Sequence, residues 1–232
     1  MRNGKSLINH LKKRQDQENK MNHISLMLKK YVCLTPSYRY VKQKYFKNLV
    51  KIDHIAHRSF DLSDLKTFYK NQNFKEMHDF YNFPRLNVTA TSLKSKCYRV
   101  FLSQYNGDYN IRINTFNDYQ KYRKINDYVA WTCIHKNDIN HVAIEVHDIY
   151  GIVRQLQADN TLQLNNPDNP IHISKDGNLL QASIVADKIN YIFKDGECQL
   201  VPYAFVEFVQ RKNNREGFES DNADKIFKST DN

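Results

Sequence analysis

Apolar positions along the chain change their period twice. From Ile24 they recur at three- and four-residue intervals (Ile24, Leu26-Met27-Leu28, Tyr31-Val32), the spacing of one helix face. Thr35-Pro36 ends that helix and opens a second over Ser37–Val50, because proline at a first helical position forfeits no hydrogen bond. The stretch Ile52 to Phe60 reads as a strand. Ser63-Asp64-Leu65-Lys66 reads as a helix start, with Leu65, Phe68 and Tyr69 as its apolar stripe. Strands follow at Lys75–Tyr81, Leu86–Leu93 and Tyr98–Gln104, the last closed by Asn106-Gly107. Tyr119–Cys133 is again helical.

The same order then returns. Ile139–Val146 is a strand and Ile149–Gln157 an amphipathic helix. Further strands fall at Leu179–Ile184, Tyr191–Lys194 and Val201–Arg211, with Asp195-Gly196 as the hairpin signal between the last two. Each round opens on a related motif: Asp53-His54-Ile55-Ala56, then Asn140-His141-Val142-Ala143. The pattern predicts an α+β fold in a single catalytic-sized domain, 24–232. Helices occupy 24–51, and two strand–helix–strands units occupy 52–135 and 136–232. Residues 1–23 are too polar and basic to join a core and are expected to form a mobile tail.

Composition changes this picture little. Of the 232 residues 41% are hydrophobic and 12% aromatic, which excludes a disordered class. No apolar run approaches the ~18 residues of a membrane helix. Lys5, His10 and Lys12-Lys13-Arg14 interrupt any secretory core after Met1, so a soluble, cytoplasmic protein is expected. The net charge of +10 suggests a nucleic-acid partner until it is located. Residues 1–51 carry 13 Lys/Arg against Asp16 and Glu18, whereas 52–232 carry 22 against 23. The body is therefore neutral, which fits an enzyme or small-ligand binder and no nucleic acid. Cys33, Cys97, Cys133 and Cys198 form no C-x-x-C pair, which argues against a thiolate zinc site. They are expected to be reduced and mostly buried.

Strand alternation turns the two motifs into a candidate site. His54 shares a face with Ile52, Ala56 and Arg58; His141 shares one with Ile139, Ala143 and Glu145. Glu207 sits in the otherwise apolar strand Tyr203–Val209, facing with Tyr203, Phe205 and Val209. A buried carboxylate costs several kcal/mol unless it is paired or bound to a metal. His54, His141 and Glu207 would satisfy one another as a 2-His-1-carboxylate site for a divalent metal. The alternatives are two ordinary core or surface histidines and a Glu207 paired with a Lys or Arg. The three residues match no short metal motif, and the duplication is what favours the metal reading.

Several ordered blocks from about Leu26 to Thr230 give the chain a family resemblance. They are Asp53-His54-Ile55-Ala56-His57-Arg58-Ser59-Phe60, Asn140-His141-Val142, Leu179–Asp187, Phe205–Arg211, Arg215–Glu219 and Ala223–Thr230. Together they resemble the 2-oxoadipate dioxygenase/decarboxylase (hydroxyglutarate synthase) family, relatives of the vicinal-oxygen-chelate enzymes. The resemblance implies a curved mixed sheet around Fe(II), held by His54, His141 and Glu207 as the catalytic centre. It implies that Arg58, beside His54, binds a substrate carboxylate, and that Gln181 and Ser183 line the pocket. The substrates would be a small 2-oxo diacid and O2, in a reaction of the 2-oxoadipate to 2-hydroxyglutarate type. His57 departs from the family pattern, and alternation gives it a packing role on the opposite face. Gln181-Ala182-Ser183-Ile184 lacks one hydroxyl and replaces a Thr by Ile, which predicts a different or more apolar 2-oxo acid if those hydroxyls touch substrate. Two other classes stay open. One is a metal-dependent vicinal-oxygen-chelate isomerase, lyase or binder that does not use O2. The other is a binding module whose basic first 51 residues contact RNA, phosphates or a partner.

This division of the chain makes a prediction. Deleting residues 1–23 leaves the melting temperature unchanged, whereas deletion through Lys51 unfolds the protein. The second deletion removes Leu26, Leu28, Tyr31, Val32, Tyr45, Phe46 and Leu49, which read as core-facing positions. Thermal melts of the two truncations decide it.

Overall fold

A computed structural model describes residues 25–108 and 110–219. Residues 25–34 form helix α1, and α2 spans Pro36–Phe46 with its proline in the first turn. The first unit runs β1 (Ile52–Ser59), α3 (Ser63–Asn71), β2 (Lys75–Glu76), β3 (Tyr81–Phe83), β4 (Val88–Lys94) and β5 (Arg99–Tyr105). Helices α4 (Phe116–Ile125) and α5 (Asp127–His135) close it. The second unit runs β6 (Ile139–Glu145), α6 (Ile149–Asp159), β7 (His172–Ile173), β8 (Leu179–Ser183), β9 (Lys188–Ile192), β10 (Cys198–Pro202) and β11 (Phe205–Arg211).

Among the described residues, nine strands form one sheet in the order β2-β4-β5-β1-β6-β11-β8-β7, with β3 also on β4. The order is palindromic. In each half the opening strand pairs in parallel with the closing one (β1 with β5, β6 with β11), which pairs antiparallel with the strand beyond it. The halves meet where β1 and β6 pair antiparallel. The two-unit α+β architecture read from the motif repeat is therefore present.

The two faces of the sheet have different partners. On one face Ile55, Val142, Ile144, Leu180, Ala182, Val206 and Phe208 form a core with Tyr31 of α1, Tyr38 and Val41 of α2, and Ile149, Val153 and Leu156 of α6. Leu93, Val100 and Leu102 continue that face against Leu65 and Tyr69 of α3. The opposite face carries the candidate residues, Ala56, Phe101 and a cluster with Tyr81, Phe83 and Tyr128. Strand alternation thus assigns α1, α2, α3 and α6 to one side and the candidate residues, with α5 beside them, to the other.

Several boundaries moved, each for a local reason. The helical stretch Tyr119–Cys133 is two helices, because Asn126 ends α4 and its side chain accepts the backbone N–H of Val129 to cap α5. Asp195-Gly196 does turn a hairpin, with Gly196 at φ 87, but its second arm is β10. The single strand Val201–Arg211 breaks after Pro202, which offers no N–H, and β11 rejoins the main sheet. Lys75–Tyr81 holds only the short β2 and the start of β3. Leu26 (59% exposed) and Leu49 (84% exposed) are not core-facing, whereas Tyr31 and Val41 are fully buried. All four cysteines are free, yet Cys33, Cys97 and Cys198 are exposed and Cys133 is half-buried, so the expected burial is not found. The expectation for residues 1–23 and the block Ala223–Thr230 lie outside the described residues.

Tyr31 anchors the helices. It is fully buried, and its hydroxyl donates to the carbonyl of Phe205 at 2.7 Å, tying α1 to the start of β11. Removing that hydroxyl in Tyr31→Phe is expected to cost about 1–3 kcal/mol, the penalty for an unsatisfied buried acceptor. Tyr31→Ala is expected to cost about 3–5 kcal/mol, as large-to-small aromatic substitutions in cores do. Urea denaturation of the two variants measures both.

Candidate metal centre

His54 and His141 meet because of the register between β1 and β6. His54 pairs with Ala143 and Ala56 with His141, so each imidazole stands opposite a methyl group. Glu207 enters from β11, in register with Ala143. The Nε2 atoms of His54 and His141 are 3.1 Å apart. Glu207 Oε2 lies 3.1 Å from His141 Nε2 and 3.8 Å from His54 Nε2. All three residues are buried. Their ligand atoms lie within 4.8 Å of one another, so they could hold a metal ion.

The outer hydrogen bonds fix what these atoms offer. His54 Nδ1 donates to Asp53 Oδ1 at 2.9 Å, and His141 Nδ1 donates to Asn140 Oδ1 at 3.2 Å. The proton on each outer nitrogen leaves a lone pair on each Nε2, the tautomer a metal requires. Gln181 Nε2 donates to Glu207 Oε1 at 2.7 Å, which turns Oε2 inward. Three acceptors therefore face one point. Burial pushes the His141 imidazole below its ordinary pKa. Burial alone would raise Glu207, but its polar contacts with His141, His54 and Gln181 hold it below the usual range. Neutral histidine beside ionised carboxylate is a cation-ligating state.

Both supporting residues sit at β-bulges. Between the pairs Ile52↔Ile144 and His54↔Ala143 the extra residue is Asp53; between Ala56↔His141 and His57↔Ile139 it is Asn140. A bulge re-aims the side chain it carries. Plain alternation would have turned Asp53 and Asn140 away from the histidines that follow them. Sequence reading missed both roles, although the Asp-His and Asn-His pairs were the visible signal. Asp53 is held in turn by Arg211, through Nε at 2.6 Å and Nη2 at 2.9 Å. Burial would raise its pKa, but the hydrogen bonds from His54 and Arg211 prevail and hold it below the usual carboxylate range.

The other candidates fall as follows. Arg58 is buried on the His54 face of β1, since pairing with β5 is unbroken from His54 to Ser59. Its Nη1 lies 3.4 Å from Asp127 Oδ2, and its guanidinium carbon stands 5.2 and 5.5 Å from the ring centres of Tyr128 and Trp131. Gln181 supports Glu207, and Ser183 Oγ accepts from Asn165 Nδ2 at 2.9 Å. Ala182 and Ile184 belong to the helix-facing core, so the altered positions of that segment point away from the site. The shift towards a more apolar acid, expected from them, has no basis in the pocket. Phe205 stacks on His141 at 4.6 Å, and Phe218 meets His54 edge-on at 4.7 Å.

The fold is shared with solved proteins. A protein of Ralstonia eutropha JMP134 assigned to the glyoxalase superfamily has the same fold, with a TM-score of 0.67 at 16% identity over 82% of each chain. The hydroxyglutarate synthase of Oryza sativa, solved in complex with 2-oxoadipate, superposes with a TM-score of 0.79 at 22% identity over 93% of each chain. The fold is thus that of the glyoxalase, or vicinal-oxygen-chelate, proteins. Within it, residues 101–214 match the 2-oxoadipate dioxygenase/decarboxylase family, and the family resemblance read from the sequence holds. The chain is 32% identical over 139 residues to the chloroplastic/amyloplastic 2-oxoadipate dioxygenase/decarboxylase of Oryza sativa. That match takes in 50% of this chain but spans only 38% of the curated relative's length.

His57 lies on the opposite face, fully buried, with Nε2 2.7 Å from the Tyr69 hydroxyl and Nδ1 3.3 Å from the Asn137 carbonyl. Burial pushes its pKa down to about 4, and burial does the same to His135. An unfolded chain takes up these protons near pH 6.5. Stability is therefore full above about pH 6.5 and falls as pH drops from there towards about 4. Melting temperatures measured across that window should fall with acidification, and less steeply in His57→Gln, which removes one of the two protons.

Proposed function

We propose that the chain is a non-haem Fe(II) enzyme that decarboxylates and hydroxylates a 2-oxo diacid, in a reaction of the 2-oxoadipate to 2-hydroxyglutarate type. The observation that carries this reading is the convergence of His54 Nε2, His141 Nε2 and Glu207 Oε2 within 4.8 Å. Two imidazoles and one carboxylate suit a first-row divalent ion, and with three protein ligands they leave positions for other ligands. The match to the 2-oxoadipate dioxygenase/decarboxylase family over residues 101–214 supports a 2-oxo acid substrate and an oxygenase reaction, and iron is the first-row ion that reading assigns to the donor set.

Bound Fe(II) would supply chelation of the 2-oxo acid and activation of O2. The remaining work belongs to the chain. Asp53, Asn140 and Gln181 orient the three ligands through hydrogen bonds of 2.9, 3.2 and 2.7 Å. Arg58 supplies a planar fork on the same face for a carboxylate of the diacid. The rings of Tyr128 and Trp131 hold the guanidinium in place. Phe205 and Phe218 flank the histidines with apolar surface that excludes water.

Purified anaerobically, the protein is expected to bind about one Fe(II) per chain, as a single facial triad would. It should consume O2 and release CO2 when given 2-oxoadipate. His141→Ala and Glu207→Ala should lose both iron and activity. Arg58→Lys should keep iron but raise the half-saturating 2-oxoadipate concentration at least tenfold, about 1.4 kcal/mol of binding. Full iron loading of Glu207→Ala would overturn the ligand assignment. Turnover of small molecules without O2 uptake would favour an isomerase or lyase of the same fold.

A further inference from the structure

Arg211, the last residue of β11, contacts two parts of the site at once. Its Nε and Nη2 grip both oxygens of Asp53, the residue that orients His54. Its third nitrogen, Nη1, donates to the carbonyl of Gly217 at 2.6 Å. The flat face of the guanidinium lies 5.1 Å from the ring centre of Phe218. That ring packs against His54 at 4.7 Å and against Phe101 at 4.9 Å. Residues 212–219 thus fold back from the end of β11 and bring an aromatic side chain onto the imidazole that Asp53 supports.

The turn that does this is held at both ends. Gly217 has φ 72, a conformation that a residue with a side chain adopts only at a cost. The Phe218 N–H donates to the Tyr81 hydroxyl at 2.8 Å, and that hydroxyl donates to Asp79 at 2.8 Å. Glu216 pairs with Lys94 on β4.

We propose that Arg211 is a positioning residue that couples the placement of segment 212–219 to the orientation of His54, so that the closed segment and the metal-ready imidazole form together. The inference rests on the metal-site reading above. A planar fork is essential to it, because two nitrogens must stay on Asp53 while the third reaches Gly217. Lysine keeps the charge but offers one nitrogen, so it can serve one of these partners at a time. If the segment and His54 are coupled, the effect is reciprocal: metal on His54 must stabilise the segment as much as the segment stabilises metal binding.

The test uses the full chain and Co(II), whose visible absorption reports ligand geometry. Wild-type protein is titrated with Co(II), and amide hydrogen exchange across residues 215–219 is followed with and without the metal. Coupling predicts that Co(II) slows exchange in the segment. It also predicts that Arg211→Lys, folded by circular dichroism, binds Co(II) about 10–100-fold more weakly, the range expected when an outer hydrogen-bond partner is lost. The variant should show an altered Co(II) spectrum and no metal-dependent protection of the segment. Wild-type exchange that ignores Co(II), or an Arg211→Lys protein with unchanged affinity and spectrum, overturns the proposal. Should Arg211→Lys fail to fold, the wild-type exchange experiment decides alone. A wild-type chain that binds no Co(II) would instead bring down the metal reading, and this inference with it.

Discussion

The site depends on one contact between the two halves of the chain, the antiparallel pairing of β1 with β6. In that register His54 faces Ala143 and Ala56 faces His141, around a central pair formed by Ile55 and Val142. Antiparallel neighbours lie close enough for side chains to touch directly across the ladder. A large residue at either alanine would occupy the space in which the two Nε2 atoms come within 3.1 Å. A slip of either strand by one residue would turn its own histidine into the helix-facing core and separate the pair. The core itself resists that slip, because Ile55, Val142 and Ile144 are fully buried there with Tyr31 and Val41. The apolar face holds the register, and the register builds the site.

The two halves repeat their backbone pattern and differ in their chemistry. Ala143 pairs with Glu207 on the closing strand of the second unit; the corresponding Ala56 pairs with Phe101 on that of the first. One unit therefore offers a histidine and a carboxylate, the other a histidine and an aromatic wall. The supports differ in the same way. His54 is backed by an ionised Asp53 clamped by Arg211, whereas His141 is backed by the neutral amide of Asn140. Charge behind an imidazole strengthens it as a donor. The duplication supplies two equivalent positions, and these substitutions make them unequal.

How far the sequence revealed this follows from what leaves a trace in residue spacing. The two histidines and Glu207 were legible because alternation within a strand is a local property and the motif occurs twice. The facing of Arg58 was legible for the same reason, four residues along the same strand, whereas its role towards substrate came only from the resemblance. Asp53 and Asn140 were not, since a β-bulge adds a residue to one strand without disturbing the apolar pattern. The segment Gln181–Ile184 shows the opposite failing. Residue identities there suggested a changed pocket, but Ala182 and Ile184 are committed to the core and only Gln181 and Ser183 share the face of Glu207. Leu26 and Leu49 misled because helical periodicity names a stripe without saying what covers it. Arg211 and Phe218 could not be placed at all, because their roles depend on a chain reversal at Gly217 that brings residues from two distant segments together.

Hydrogen-bond polarity joins these features into one design. Each outer partner consumes the donor or acceptor capacity that would otherwise satisfy the site internally. Asp53 and Asn140 take the Nδ1 protons, and the Gln181 amide takes one oxygen of Glu207. What remains inward is the three ligand atoms, close to one another and flanked by Phe205 and Phe218. Three ligand atoms crowded together in such surroundings are costly to leave to one another, and a shared cation would satisfy all three at once. The outer shell thus does more than hold ligands at the right angle. By engaging the outer atoms of all three residues, it leaves their inner atoms free to share one cation.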